Sequence, residues 1–332
     1  MSAKSKINRI SVRCSASRVV AVAALLLSGG AFSAYPEKPI TLVVPYPAGG
    51  ATDTVARKLQ ESMSKSLGQP VLVENKAGAG TAIGATAVAK SAPDGYTLLI
   101  SSNTTFTVNP ALKSKLPFDP VKDFEGIGVI GTSPLVLIAN PNLAANNVSE
   151  LIAMAKRDPR KLSFGSFGSG TTAHIAGEML NVMAGIDIMH VPYKGSAPAM
   201  TDLIGGQIPL AFDTNVASMP MISAGKVKAI AVTSLQRYPQ LPNVPTLAES
   251  GFPGFEMVPW IVVVAPKGLP AAVQSKLSKA LEDALKNKDV NSELVKAGVE
   301  VEFEPGSSYA ARVAKELPLL KDYVKRANIP IE

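Results

Sequence analysis

The sequence predicts an α/β fold in two domains, and three observations carry that prediction. From Ile40 to Ser101, apolar runs alternate with helix-period stretches in the order β-α-β-α-β, the pattern of a parallel sheet covered on both faces. A second alternating set runs from Ser149 to Val232. Two long β-rich runs, Phe124 to Asn140 broken by Pro134 and Phe255 to Ala265 with Pro259 inside, flank that second set. They read as the outgoing and returning crossings between domains. The first domain is then discontinuous, 35–132 with 260–332, the second is 133–259, and the two linkers permit a hinge.

Taken in order, Ile40 to Val44 is a strand that ends at Pro45, and the turn Ala48-Gly49-Gly50 leads into a helix opening at Thr52-Asp53. Val55, Leu59 and Met63 fall at helical spacing, and Gly68 fits a C-terminal stop. Val71 to Glu74 is a short strand, Gly78 to Gly84 a glycine-rich turn into an alanine-rich helix, and Tyr96 to Ser101 a buried strand. In the second set, Ser149 to Lys156, Thr171 to Met183 and Ser196 to Ile204 read as helices. Leu162 to Gly165, Ile186 to Val191, Ile208 to Phe212 and Val227 to Val232 read as strands. After the return come a helix at Ala271 to Leu285, a strand at Val299 to Phe303 and a final helix at Tyr309 to Ala327.

The first 34 residues read as a secretory signal peptide. Lys4, Lys6, Arg9, Arg13 and Arg18 precede an apolar run from Val19 to Leu27, and small residues follow to Ala34. The run is too short for a membrane span. Removing those five positive charges lowers the formal net charge from +7 to +2, so the basic balance is mostly a targeting signal and a nucleic-acid partner loses its support. The single cysteine, Cys14, lies in the same segment. The mature chain then has no thiol, which excludes disulfides, thiolate nucleophiles and cysteine metal sites. Such a leader directs the chain out of the cytoplasm.

Two stretches carry the candidate site. Val43 to Asp53, VVPYPAGGATD, is a strand, a glycine turn and a helix start. Such a turn aims backbone N–H groups and the positive end of a helix dipole at one point, which suits a carboxylate or phosphate. Phe164 to His174, FGSFGSGTTAH, repeats the arrangement far down the chain. Val191 to Met200, VPYKGSAPAM, is a weaker third element, with Ser196 able to cap and Pro198 suited to a first turn. Asp213-Thr214-Asn215 and Ser101 to Thr104 end strands in the same polar way. Five polar strand ends in a two-domain α/β chain point to a cleft that binds a ligand.

Other patterns lead nowhere. Gly126 to Gly131, GIGVIG, matches the dinucleotide fingerprint by letter, but no helix follows it. Gly165 to Gly170 resembles a nucleophile elbow without a serine in the required frame. The two histidines, His174 and His190, have no carboxylates spaced around them for a metal, and His190 reads as a strand histidine. No catalytic residue, metal site or cofactor is expected.

Together PEKPITLVVPYPAGGATD, VENKAGAG, PDGYTLLI, FGSGTTAHIAGE, VPYKGSAPAM, IPLAFD and LPNVPTLAESG make the chain resemble the periplasmic receptors of tripartite tricarboxylate transporters, the Bug-type solute-binding proteins. The resemblance covers essentially the whole chain after the leader. It implies a type II periplasmic-binding-protein fold, two α/β domains closing on a small solute. It also implies a ligand carboxylate held between the first βα loop and the corresponding loop of the second domain. Carried onto this sequence, that role falls to Pro47, Ala48, Gly49, Gly50, Thr52 and Asp53, and to Ser169, Gly170, Thr171, Thr172 and His174. Tyr46, Ser102, Phe167 and Asp213 become pocket positions that read the rest of the ligand.

The expected function is therefore capture of a small carboxylate (a carboxylic acid, amino acid or aromatic acid) by a monomer that delivers it to integral-membrane permease subunits. Two other readings compete. A ligand sensor would present the same carboxylate to a membrane signalling kinase. A secreted serine hydrolase would use Ser166 or Ser169 with His174 and an aspartate, against the missing elbow frame.

Overall fold

The computed structural model describes residues 35–159, 161–326 and 329, so the expected signal peptide lies outside the described residues. The chain after it builds two mixed sheets. β1 (Ile40–Val44) pairs in parallel with β2 (Val71–Asn75) and β3 (Thr97–Ser102). Between β1 and β2 runs α1 (Ala51–Leu67), whose Val55, Leu59 and Met63 are wholly buried. Gly68 ends it in a left-handed turn, φ 71°, and donates its N–H to Ser64 O, a conformation that glycine adopts without a Cβ penalty. A 3-10 turn (Ala79–Thr81) precedes α2 (Ala82–Ala89). A π-helical turn (Thr104–Val108) and the short α3 (Asn109–Leu112) follow β3.

β4 (Phe124–Thr132) belongs to the first sheet and β5 (Leu135–Ala139) to the second, so the outgoing run divides at Ser133-Pro134. Then come α4 (Val148–Arg157), β6 (Ser163–Ser166), α5 (Thr172–Ala184), β7 (Met189–Pro192), α6 (Ser196–Ile204), β8 (Leu210–Thr214), α7 (Asn215–Ser223) and β9 (Lys228–Val232). The chain returns through β10 (Trp260–Pro266) and closes with α8 (Ala271–Lys286), α9 (Lys288–Lys296), β11 (Glu300–Pro305) and α10 (Ser307–Arg326). The strand orders are β11-β4-β10-β3-β1-β2 and β7-β6-β8-β5-β9.

The expectation of a parallel sheet needs correction. β1, β2 and β3 are parallel, as are β6, β7 and β8, but β10 runs antiparallel between β3 and β4, and β5 runs antiparallel between β8 and β9. Each crossing strand enters its sheet from the cleft side, which reverses its direction relative to the βα units. Three helical pieces were also invisible to periodicity. The turn at 104–112 opens on a run of threonines and asparagine. α7 contains Pro220 and has apolar residues all round, and α9 buries only Leu294.

One buried apolar cluster crosses the division between the sheets. Val108, Ala111 and Leu112, together with Leu320 and Val324 of α10, share it with Leu135, Leu137, Phe164, Ile175 and Phe212. The GIGVIG stretch is the interior of β4, and a Cβ at Gly126 would meet Gly306 O at 2.1 Å. Those glycines serve close backbone packing.

Candidate ligand-binding site

The topology brings the polar strand ends of both sheets to one edge. Ser102 ends β3 opposite Ile261, Thr132 ends β4 opposite Trp260, and Leu135 begins β5 opposite Thr214. The two crossings touch there, Ser133 N donating to Pro259 O at 2.9 Å. Between the sheets opens a cleft of about 610 Å³, its mouth included. The first lobe contributes Tyr46, Pro47, Ala48, Gly50, Ala51, Thr52, Ser102 and Ile261. The second contributes Phe167, Thr172, Lys194, Gly195, Ser196, Ala197, Pro198 and Thr214, and the crossings add Ser133 and Pro259.

Among the described residues four helices begin at this cleft, and they differ in how their first N–H groups are satisfied. α5 is capped by Thr171, whose Oγ1 accepts from His174 N, and Thr172 N donates to Thr104 Oγ1 at 3.3 Å. α7 is capped by Thr214, which accepts from Ala217 N. α1 and α6 begin at Gly50 and Gly195 with no side-chain cap. Their leading N–H groups and the positive ends of their dipoles meet at the cavity from opposite lobes. Gly195 has φ 110°, and a Cβ built there would stand 3.1 Å from Pro47 Cγ, so the two loops nearly touch. Among the described residues no acidic side chain lines the cavity, and Lys194 is its cationic residue. Among the described residues Lys194 has no ion-pair partner. The arrangement suits a small anion flanked by apolar surface.

Over residues 55–328 the chain matches the family model described as tripartite tricarboxylate transporter family receptor. The chain belongs to that receptor family. Three solved structures of the same architecture are similar to this receptor. The periplasmic binding protein BugD is 41% identical with a TM-score of 0.85, covering 89% of this chain and 99% of its own. A protein of R. palustris solved with adipate is 34% identical with a TM-score of 0.86, covering 89% and 99%. MatC of Rhodopseudomonas palustris, solved with bound malate, is 35% identical with a TM-score of 0.83, covering 87% and 100%. The fold is the two-lobed α/β fold of periplasmic binding proteins.

Within this receptor the residues named from sequence separate into two groups. Tyr46, Pro47, Ala48, Gly50, Thr52, Ser102, Phe167 and Thr172 line the cavity. Gly49, Asp53, Ser169, Gly170, Thr171, His174 and Asp213 are not among its lining residues. The helix expected to open at Thr52-Asp53 starts one residue earlier, at Ala51, with Gly50 at its cap position. Asp53 is buried and accepts from Gly49 N at 2.8 Å, Arg57 Nε at 3.0 Å and Asn75 Nδ2 at 3.0 Å. Burial raises its carboxyl, and the bonds from Arg57, Gly49 and Asn75 with the Arg57 charge outweigh that and hold it below its ordinary value. The Gly49 N–H is thus already bonded. Gly50, at φ −79°, does not need to be glycine for its backbone, whereas Gly49, at φ 81°, does.

His174 turns into the second lobe. Its Nδ1 accepts from Gly170 N at 3.3 Å, its ring stacks on His190 with centroids 4.0 Å apart, and its Nε2 lies 3.8 Å from Glu178 Oε1. His190 pairs with wholly buried Ser166, Nε2 to Oγ 2.7 Å, and burial first, then the nearby His174, push it down to about 3. Asp213 lies behind Ser196, which donates to it at 2.8 Å, and burial pushes its carboxyl up to about 7. The element that sequence reading underweighted is Lys194 to Pro198. Its signal was present in VPYKGSAPAM: a glycine and a serine before a proline at the first turn of a helix.

Proposed function

We propose that this receptor captures a small organic carboxylate in the periplasm and delivers it to a tripartite tricarboxylate-type permease. The observation that carries the proposal is the pair of uncapped helix starts, Gly50 to Thr52 and Gly195 to Ala197, facing one another across a cleft lined by no acidic side chain. Each helix end contributes up to ~2 kcal/mol toward a partly buried carboxylate. Charge-assisted hydrogen bonds add about 1.5–3 kcal/mol each. After ordering and association costs, an affinity near micromolar, about −8 kcal/mol, is expected. The malate and adipate held by two relatives support a carboxylate as the ligand class, and family membership supports the permease as partner.

The anchoring half in the second lobe is α6 on this reading, while Ser169 to His174 shape the loop beside it. Catalysis is not part of the proposal. Ser166 is wholly buried and paired with His190, and neither Ser169 nor His174 lines the cavity. A thermal-shift screen of mono-, di- and aromatic carboxylates, confirmed by calorimetry, tests the reading. A ligand should bind with one-to-one stoichiometry and be recovered chemically unchanged. Steady product formation lost in Ser169→Ala would replace it with the hydrolase.

A further inference from the structure

The two walls of the cavity present hydroxyl groups of opposite hydrogen-bonding sense. On the first lobe, Ser102 Oγ lies 2.8 Å from the Tyr46 hydroxyl and accepts the Thr104 N–H at 3.3 Å. Whichever hydroxyl donates within that pair, one hydroxyl hydrogen remains, for a ligand or for a neighbouring hydroxyl such as that of Thr104, and both residues line the cavity. On the second lobe, Ser196 Oγ directs its single hydrogen to Asp213 Oδ1 at 2.8 Å. The same carboxylate oxygen accepts the Thr214 N–H at 2.7 Å. An additional proton on Asp213 would settle on Oδ2, since Oδ1 already takes two donors, so the sense of the Ser196 bond persists. Ser196 therefore offers the cavity lone pairs and no hydrogen. Among the described residues no donor reaches that oxygen, and the helix it opens has no side-chain cap.

We propose that Ser196 is a specificity-determining acceptor, selecting carboxylates that carry a hydroxyl group over their unsubstituted counterparts. The inference rests on the carboxylate-receptor reading and names the class of ligand for the same site. A carboxylate oxygen is satisfied by the helix N–H groups and the spare hydroxyl hydrogen of the first lobe. It cannot satisfy Ser196, because both would be acceptors. A methylene there leaves the buried lone pairs without a partner, and a site built to bond a ligand hydroxyl discriminates strongly against the analogue lacking it. An ammonium could also donate, although the Lys194 charge on the same wall disfavours it. The preferred ligand is then a hydroxy acid.

The test is calorimetry with matched pairs that differ only in one hydroxyl, malate against succinate and lactate against propionate. In the wild-type protein the hydroxy member of the binding pair should be favoured about tenfold. Ser196→Ala should bring that ratio to near one while leaving the affinity for the unsubstituted acid within a few-fold. Ser196→Thr, which keeps the hydroxyl, should retain the preference. A purely structural role would instead weaken both members alike. Equal affinities within a pair in the wild-type protein, or a preference that survives Ser196→Ala, overturn the inference and leave the receptor reading standing. Should Ser196→Ala not fold, the wild-type ratio alone still decides. If no acid of any pair binds, and none of the wider screen does, the receptor reading itself falls and this one with it.

Discussion

The Asp53 carboxylate accepts the Gly49 N–H at 2.8 Å while Arg57 Nε and Asn75 Nδ2 reach it at 3.0 Å each. Asn75 Nδ2 also donates to Tyr46 O at 3.1 Å, so one buried carboxylate fixes both sides of the first βα turn. Asp53→Ala removes the acceptor shared by Gly49 N, Arg57 Nε and Asn75 Nδ2. A loss of about 1–3 kcal/mol in urea-unfolding stability is expected, with weaker carboxylate binding because the turn no longer holds Gly50 and Ala51 in place. Unchanged stability and affinity would show that the turn is held by other contacts.

The same carboxylate should mark acid sensitivity. Its native value lies below its ordinary one, so its contribution is present above the unfolded value and is lost as pH falls through the native value. Asp213 acts in the opposite sense. Burial pushes it up to about 7 from an ordinary 3.8, so its contribution is whole below the unfolded value and is lost as pH rises through about 7. That gap corresponds to at most about 4 kcal/mol. Unfolding midpoints measured from about pH 4 to pH 8 should therefore fall less in Asp213→Asn than in the wild-type protein. Parallel profiles would count against a raised Asp213.

Closure should depend on Gly195. Its φ of 110° disfavours any side chain, and a Cβ there would stand 3.1 Å from Pro47 Cγ on the other lobe. Gly195→Ala should keep the two loops apart and lower affinity for every carboxylate alike. Solution scattering should show the wild-type radius of gyration shrinking with saturating ligand and the variant's shrinking less. An unchanged wild-type radius would indicate a preformed rigid pocket.

Lys194 is exposed at the cavity wall, and its charge should act mainly at long range. Lys194→Gln is expected to weaken carboxylate binding a few-fold at low salt and little at high salt, since exposed charges are screened over about 10 Å at 0.1 M. A salt-independent effect in calorimetry would mean that the ammonium contacts the ligand in a desolvated position.

Much of the fold was legible because its signals are local. Val55, Leu59 and Met63 repeat at helical spacing on α1, and Gly68 stops the helix in the left-handed turn that glycine alone takes easily. The direction of β10 was not legible, because a run of valines pairs equally well either way and only the long-range return decides it. The site was half legible for a similar reason. Sequence shows which strand ends carry donors and glycines, but not which donors are already taken. Thr172 N is bonded by Thr104 Oγ1, a residue 68 positions away, and no local pattern announces that. α6 has no side-chain cap and its start lines the cavity, which makes it the proposed second anchor, although its motif was the weaker one on paper.

The apolar cluster shared by Leu112, Leu320 and Val324 with Phe164 and Ile175 has a consequence for timing. Besides the two covalent crossings, the lobes are joined by a buried apolar seam, and any opening of the cleft would have to strain or part it. On the proposed receptor reading, such a seam would act like a door spring, setting how long a bound molecule dwells without touching it. Residues far from the cleft on α10 would then tune the escape rate, leaving the choice of cargo to Ser102, Ser196 and their neighbours.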